Sequence, residues 1–157
     1  MDHNIHRIKN RTNKSVLMQG LILRTEKSDD HSQVEALIQK AFESIEFSDN
    51  SEHLLVARLR NTDAFIPALS IVAEQYGQIL GHILLTKIQI KNEHSLRESL
   101  ALAPVSVLPA FQNKSIGGQL IQESHRVARS LGYKSIILLG HETYYPRFGY
   151  LPTSQFN

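Results

Sequence analysis

The sequence predicts one α/β (α+β) domain, in which helices cover both faces of a mixed, mostly antiparallel central sheet. The stretch from Gln78 to Ile90 is apolar on both faces of a strand, as in a central strand that is covered twice. Apolar residues from Val34 to Ile45 recur at helical spacing. A strand, a helix and a second strand follow one another between Ser99 and Gly140, and this order makes the two strands parallel. Such a sheet needs a helical layer on each side.

Length and composition are those of an ordinary soluble globule. The chain has 157 residues, of which 41% are hydrophobic and 20% charged, and we expect residues 19–157 to form one domain. No apolar run reaches the roughly 18 residues that span a bilayer, and the first residues lack a secretory signal, so we expect a cytoplasmic protein with no membrane partner. The absence of cysteine excludes disulfides, thiolate zinc sites and a cysteine nucleophile.

The first 18 residues differ from the rest in charge. Residues 1–17 carry a net charge of +3 and show no apolar period. Residues 1–18 are therefore predicted to be a disordered basic tail, or sequence upstream of a natural start at Met18. The remainder has a net charge of −1, so the domain is not a nucleic-acid-binding platform.

A first strand, two helices and a hairpin are predicted next. Leu21 to Arg24 is the strand, and Asp29 or Asp30 can cap the first helix, described above. Ser48 to Ser51 offers a new N-cap for a second helix from Glu52 to Arg60. The hairpin has strands from Leu69 to Tyr76 and from Gln78 to Ile90, a turn at Gly77, and flanking loops at Asn61 to Pro67 and Lys91 to Glu98. Strict alternation in its second strand places Leu80, Leu84, Ile88 and Ile90 on one face and Ile79, Ile83 and Leu85 on the other.

The second half of the chain contains an irregular strand. Ser99 to Leu108 includes Pro104, which cannot donate a ladder hydrogen bond and marks a bulge or an unpaired strand side. Apolar residues then repeat at helical spacing up to Leu131, and Gly132 is a suitable residue to end that helix. The remaining predicted elements are a buried parallel strand from Ile136 to Gly140 and a short helix from Thr143 to Gly149.

The turn before this long helix has the composition of an anion site. It reads Gln112-x-x-Ser115-x-Gly117-Gly118. Unpaired N–H groups of such a turn and of the first helical turn bind anions, with help from the helix dipole. A P-loop does not fit because Lys114 precedes the glycines, and the G-x-G-x-x-G fingerprint of dinucleotide sites is absent. A nucleotide-phosphate binder is therefore the least favoured interpretation.

This turn resembles the acyl-CoA pyrophosphate loop, Q/R-x-x-G-x-G/A, of the GNAT N-acetyltransferase superfamily. Leu102 to Pro109 looks like the fourth strand of that superfamily, Ile136 to Gly140 like its fifth, and Tyr144 to Tyr150 like its closing F/Y-Y-x-x-x-G-F/Y signature. The resemblance, to the bacterial branch of predicted acetyltransferases, implies parallel fourth and fifth strands that splay apart. In that family two further strands usually follow the signature, and they are not found here, so either the chain is truncated or its last strand has a substitute neighbour. The open edge beside the fifth strand favours a homodimer.

The resemblance also implies acetyl-CoA as the acyl donor, held mainly by backbone N–H groups, in a reaction that needs no metal. Ser115 stands where the family has glycine, which is tolerable only if its backbone stays in an ordinary region and otherwise weakens coenzyme A affinity. The strand would pair with the pantetheine arm and give an oxyanion donor near Val107. The implied donor-binding residues are Val105, Ser106, Val107, Gln112, Asn113, Lys114, Ser115, Ile116, Gly117 and Gly118.

Catalytic roles follow from the same resemblance. It assigns protonation of the departing thiolate to Tyr145, with Tyr144 as a competitor, and simple packing of both rings is the alternative. A charged amine acceptor must lose a proton, for which the candidates are His141 and Glu74, followed by His82 and Ser106. The residues implied to lie near the acceptor are Phe42, Phe47, His53 and Leu54.

The sequence thus predicts an N-acetyltransferase that moves an acetyl group from acetyl-CoA to an amine by direct attack in a ternary complex. The acceptor is a small molecule or a protein amine. The alternative is a non-catalytic acyl-CoA-binding or regulatory module, favoured by Ser115, by the missing strands and by the lack of an assured base.

Overall fold

The computed structural model describes residues 19–140 and 144–156, which form a five-stranded sheet with helices on both faces. The strands are β1 (Leu21–Thr25), β2 (Phe65–Gln75), β3 (Gln78–Lys91), β4 (Leu96–Val107) and β5 (Ile136–Ile137). The helices are α1 (His31–Phe42), α2 (Glu52–Leu59) and α3 (Ile116–Ser130), and short 3-10 turns occupy Ser28–Asp30, Pro109–Phe111, Tyr145–Phe148 and Thr153–Phe156. The sheet order is β1-β2-β3-β4-β5; its first three pairs are antiparallel and β4–β5 is parallel. The predicted mixed fold is confirmed.

Two further sequence predictions concern the N-terminal residues and the membrane. The predicted basic tail, residues 1–18, lies outside the described residues. Within the described residues, none of the helices combines the length and the apolar character needed to cross a membrane.

The two faces of the sheet carry separate apolar clusters. Under α1 and α2, the buried members are Val34, Leu37, Ile38, Val56, Val72, Ile79 and Leu84. Under α3, they are Ile71, Ala73, Leu80, Ile83, Ile116, Leu120 and Ile121. Each fully buried aliphatic side chain contributes about 1.5–3 kcal/mol. These apolar stripes, rather than intrinsic propensity, hold the helices on the sheet.

The alternation predicted for β3 is wrong at its start. The β2–β3 register skips Leu80, which makes a β-bulge. Because one extra residue shifts the alternation, Leu80 packs with Ile83 under α3, whereas Ile79 packs with Leu84 under α1. Ile90, near the end of the strand, is 40% exposed.

The hairpin is confirmed, but its first strand, β2, and the strand that follows it, β4, both begin earlier than predicted. Tyr76 and Gly77 have φ angles of 49° and 82°, as a two-residue turn between antiparallel strands requires. β2 begins at Phe65 and includes Pro67, which lies at an irregularity in the β2–β3 register. β4 begins at Leu96. The predicted loops on either side of the hairpin are therefore too long.

Strand β4 leaves β5 soon after the two begin to pair. Their pairing ends at Ala101, although β4 continues to Val107. The β3–β4 register shifts beside Pro104, which confirms the predicted irregularity. The fifth strand is shorter than predicted and is not buried: it ends at Ile137, and Leu139 is 100% exposed. Within the described residues no strand lies beyond β5 to pair with it and cover it.

Candidate functional site

A groove of about 770 Å³ runs along the end of β4, where that strand has parted from β5. Its walls come from β4, from the connection to α3, from the first turns of α3, and from the segment around the last signature. The lining residues are Val105, Val107, Phe111, Gln112, Asn113, Ser115, Ile116, Gly117, Gly118, Gln119, Gln122, Tyr144, Arg147 and Phe148. Among them there is an arginine and no carboxylate, so the lining favours an anionic ligand.

Two glycines at the start of α3 keep this groove open. The helix begins at Ile116, so Gly117 and Gly118 lie in its first turn and not in the preceding turn as predicted. A Cβ on Gly117 would lie 3.3 Å from Tyr144 Oη, and one on Gly118 would lie 3.3 Å from the Phe148 ring. Backbone N–H groups of a first helical turn lack intrahelical acceptors. The missing side chains leave these N–H groups within reach of a ligand.

The backbone just before α3 is left-handed at Asn113 and Ser115, with φ angles of 60° and 67°. Asparagine tolerates this region better than most residues, whereas serine is strained there by about 1–2 kcal/mol. Ser115 therefore does not have the ordinary backbone conformation under which its replacement of glycine is harmless. Its hydroxyl makes no capping hydrogen bond within the described residues, so it does not occupy the N–H groups of the first turn.

Tyr144 lines the groove, and Tyr145 packs behind it. The two rings meet edge to face with centroids 5.1 Å apart, and Tyr145 also contacts Tyr150 at 5.8 Å. A Cβ on Gly140 would collide with the Tyr145 ring. Burial raises the pKa of Tyr145 and raises that of Tyr150 to about 12. These two phenols are therefore protonated at neutral pH.

Some groove residues were not among the sequence predictions. They are Phe111, Gln119, Gln122, Arg147 and Phe148. The Arg147 guanidinium carbon lies 4.7 Å from the centroid of the Tyr144 ring, a cation–π contact. Arg147 and Phe148 stand inside the closing signature, and the two glutamines follow Ser115 at helical spacing. The motifs thus marked the segments, but only the packing of these segments in the fold shows that the five side chains reach the groove.

Two predicted donor-binding residues do not line the groove. Ser106 lies between Val105 and Val107, which pack toward α3, so alternation turns its buried side chain to the opposite face of β4. Lys114 instead places its Nζ 6.0 Å from the centroid of the Phe111 ring.

The candidate bases occupy different surroundings. His141 lies outside the described residues. Glu74 accepts a hydrogen bond of 2.6 Å from Arg24 Nε, and Arg24 also binds Asp30 at 2.7 Å, so Glu74 belongs to an ion-pair network on the β1 side of the sheet. His82 is fully buried under α1 and α2. Within the described residues, no three His, Cys, Asp or Glu side chains come together as a metal site.

The connection between α1 and α2 and the first turn of α2 present apolar surface. Phe47 is 95% exposed and Leu54 is 53% exposed, whereas Phe42 packs against the core. His53 Nδ1 is buried and has no hydrogen-bond partner among the described residues. Of the four side chains expected near an acceptor, Phe47 and Leu54 are thus available to contact a ligand.

Comparison with known proteins matches this architecture. The family described as "Acetyltransferase (GNAT) domain" matches residues 67–152, which include most of β2, all of β3 to β5 and α3, and every residue that lines the groove. A protein of Escherichia coli K12 named "Uncharacterized N-acetyltransferase YjhQ" is 39% identical over 106 residues, which are 68% of this chain and 59% of that protein. The match thus spans less than two thirds of that relative's length.

Solved structures agree in fold. A GNAT family acetyltransferase from Brucella melitensis, in complex with acetyl-CoA, is 36% identical, with a TM-score of 0.78 over 84% of this chain and 83% of that one. The E. coli protein YhbS, in complex with CoA, is 24% identical, with a TM-score of 0.73 over 86% of this chain and 71% of that one, and shows the fold alone. The splayed β4, the glycine-opened start of α3 and these matches together establish that the chain belongs to the GNAT acetyltransferase family.

Proposed function

We propose that this protein is an N-acetyltransferase that transfers an acetyl group from acetyl-CoA directly to an amine. The observation that carries the proposal is the groove between the end of β4 and the start of α3, where Gly117 and Gly118 expose the first helical turn. The acetyl-CoA named for the Brucella melitensis relative supports the choice of donor. Acetyl-CoA supplies the acetyl group as an activated thioester.

In this proposal one part of the groove binds the pyrophosphate of acetyl-CoA, and another positions its pantetheine arm and thioester. Backbone N–H groups from Asn113 to Gly118 bind the pyrophosphate, because they are oriented donors at the positive end of a helix dipole. Arg147 adds a cation beside them. The free side of β4 after Ala101 offers backbone groups to the pantetheine amides, and the N–H near Val107 stabilises the developing oxyanion.

Tyr145 protonates the departing thiolate in this proposal, with Tyr144 as the competing candidate. A buried phenol with a raised pKa stays protonated at neutral pH, which an acid requires. Tyr144 is the one of the two that lines the groove, whereas Tyr145 packs behind it, so Tyr144 is the stronger competitor on position. His141 and Glu74 remain the proposed bases, and Glu74 must leave Arg24 to act.

The test measures thiol release from acetyl-CoA by the purified chain with a panel of small and peptide amines. We expect turnover with at least one amine, and about a 10²–10⁴-fold lower kcat for Tyr145→Phe, the usual contribution of a general acid. Tyr76→Phe, at a 79% exposed tyrosine in the hairpin turn, is the matched control and should be unaffected.

A non-catalytic acyl-CoA-binding module is the second candidate, favoured by the left-handed Ser115. Acetyl-CoA binding by calorimetry without thiol release with any amine would establish it instead.

The acceptor is an amine in the leading proposal, and the apolar surface of Phe47 and Leu54 is where its non-reacting part would bind. The homodimer stays a prediction, to be tested by sedimentation.

A further inference from the structure

An arginine stands in the groove beside the start of α3. Arg147 lines the groove, and its side chain is exposed. Its guanidinium carbon lies 4.7 Å from the centroid of the Tyr144 ring, so an aromatic face holds it in place. None of the ion pairs among the described residues includes Arg147. The guanidinium is thus positioned by a ring, and the described part of the chain gives it no carboxylate.

The packing of the closing segment determines where this arginine lies. The rings of Tyr144 and Phe148 meet edge to face, with centroids 5.3 Å apart. A Cβ on Gly117 would lie 3.3 Å from Tyr144 Oη, and one on Gly118 would lie equally close to the Phe148 ring. The two rings therefore rest on the first turn of α3. Arg147 stands between them in the 3-10 turn, so it is kept beside the start of the helix.

This position is electrostatically unfavourable without a ligand. The N-terminus of a helix carries about half a positive charge, so acidic side chains stabilise it and cations destabilise it. The first turn of α3 has no acidic residue, and the groove lining adds an arginine and no carboxylate. Two positive groups therefore face one groove, and an anion bound between them would remove their repulsion.

A phosphate group suits both positive groups. A guanidinium presents its N–H donors in one plane, in a spacing that matches two oxygens of a phosphate. The free N–H groups of a first helical turn also bind phosphate. The groove, of about 770 Å³, has room for an extended ligand. Acetyl-CoA is such a ligand, with a pyrophosphate and a ribose phosphate at the end remote from its thioester.

We propose that Tyr144 is a positioning residue that holds Arg147 against a phosphate of the donor, and that this pair selects coenzyme A thioesters over thioesters without phosphate. The inference rests on the donor named in the proposed function. It assigns the role to the aromatic ring of Tyr144 and not to its hydroxyl. The phosphate belongs either to the pyrophosphate or to the ribose, and the choice of donors in the experiment distinguishes these two sources.

Four variants of the full chain test the pair. Arg147→Gln removes the charge but keeps a polar side chain. Tyr144→Phe keeps the ring, whereas Tyr144→Leu removes it. Arg129→Gln removes the same charge from the last turn of α3 and is the matched control. Calorimetry measures the Kd for acetyl-CoA and for 3′-dephospho-acetyl-CoA. The Kd for S-acetylpantetheine, which has no phosphate, is measured by competition with acetyl-CoA.

We expect the Kd for acetyl-CoA to rise about 10–100-fold in Arg147→Gln, as for the loss of hydrogen bonds between charged groups. The Kd for S-acetylpantetheine should not change. Tyr144→Leu should raise the Kd for acetyl-CoA about two- to fivefold and Tyr144→Phe less than twofold, because a phenyl ring still holds a cation. A loss of the same size with the dephospho donor assigns Arg147 to the pyrophosphate, and no loss with that donor assigns it to the ribose phosphate.

Thermal unfolding without ligand separates this role from a structural one. Arg147→Gln should unfold at nearly the parent's temperature, because the lost ring contact and the lost repulsion from the helix are of similar size. An arginine that served only packing would lower that temperature and would weaken all three donors alike. Arg129→Gln should leave every Kd unchanged.

Three results overturn the pair alone. They are an unchanged Kd for acetyl-CoA in Arg147→Gln, an equal loss of affinity for S-acetylpantetheine, and a Tyr144→Phe protein that binds as weakly as Tyr144→Leu. Acetyl-CoA binding that depends on Arg147, without turnover of any amine, supports the pair and refutes the proposed transfer. A parent chain that does not bind acetyl-CoA refutes both.

Discussion

Ser115 is the residue at which this chain departs most clearly from the family's loop. Its φ of 67° lies where a Cβ approaches the backbone too closely, at a cost of about 1–2 kcal/mol. Because the strain lies at the turn that we propose binds the pyrophosphate, we expect the serine to affect both the stability of the chain and its affinity for acetyl-CoA.

Ser115→Gly should therefore raise the free energy of unfolding by up to about 1 kcal/mol, since relief of strain exceeds the extra unfolded-state entropy of glycine. Acetyl-CoA affinity should stay equal or improve. Urea unfolding and calorimetry measure the two effects. Ser130→Gly, in the last turn of α3, is the control and should lose about 0.5–1 kcal/mol. A less stable Ser115→Gly protein would show that the left-handed turn is not strained.

Gly117→Ala should separate binding from folding. Alanine favours a helix over glycine by about 0.8–1 kcal/mol, so the thermal midpoint should rise or stay unchanged. The new methyl group would lie 3.3 Å from Tyr144 Oη and 3.7 Å from Val107 Cγ2, inside the groove. We expect the Kd for acetyl-CoA to rise at least about tenfold, a loss of 1.4 kcal/mol.

The control for this change is Gly132→Ala at the other end of α3. Gly132 has a φ of 87° and completes a C-terminal motif in which Tyr133 N–H binds Ala128 O. Alanine there should lower stability and leave the Kd for acetyl-CoA unchanged. Equal Kd values for Gly117→Ala and the parent chain would place the ligand elsewhere.

At the scale of elements, sequence patterns identified the helices and the site turn but not all strand details. Three of these signals are local: the apolar stripe of α3, the glycine that ends it, and the motif from Gln112 to Gly118. Each determines structure only within a few residues of itself, so the sequence alone predicts it. The start of β2 could not be predicted, because Pro67 lies in a strand only where the register is already irregular. The Leu80 bulge exchanged two faces of β3 and leaves no mark in the sequence.

The contacts that shape the site were harder to predict for the same reason. Tyr144, Arg147 and Phe148 reach the groove from the end of the chain, and only packing of this segment on α3 reveals it. The short β5 is another case, since an apolar run predicts a buried strand whether or not a neighbour covers it.

Gly81 of β3 lies where α3 packs directly on the backbone of that strand. An added Cβ would lie 2.9 Å from Leu120 Cδ1 and 3.1 Å from the carbonyl oxygen of Ser106. We expect Gly81→Ala to lower the free energy of unfolding by about 1–3 kcal/mol through overpacking, measured by urea unfolding. Gly77→Ala, whose Cβ meets nothing within 4 Å but whose φ is 82°, controls for backbone effects. A smaller loss at Gly81 than at Gly77 would contradict close packing of α3 on β3.

For the whole molecule, a buried network sets the response of stability to acid. Glu26 accepts hydrogen bonds from Arg60 and Ser70, and Ser70 Oγ lies 2.9 Å from His82 Nε2. The pKa of His82 falls on folding from its unfolded value of about 6.5 to about 4 because of burial. Below pH 6.5 the unfolded chain binds a proton that the folded chain does not, so stability declines as the pH falls from 6.5 to 4. Glu26, whose pKa is lowered mainly by Arg60 against the effect of burial, adds a loss below about 4.5.

The His82 contribution corresponds to about 3 kcal/mol over that interval, since each pKa unit is worth 1.36 kcal/mol. Urea unfolding at several pH values between 7 and 4 measures it. His82→Gln has no group that titrates in this window and keeps the Ser70 hydrogen bond, so its stability curve should be flatter by that amount above pH 4.5. Below pH 4.5 both proteins should decline together, because Glu26 is common to them. Parallel curves from pH 6.5 to 4.5 would mean that His82 is already protonated in the folded protein. The network would then hold a charged imidazolium beside Glu26 instead of a neutral imidazole.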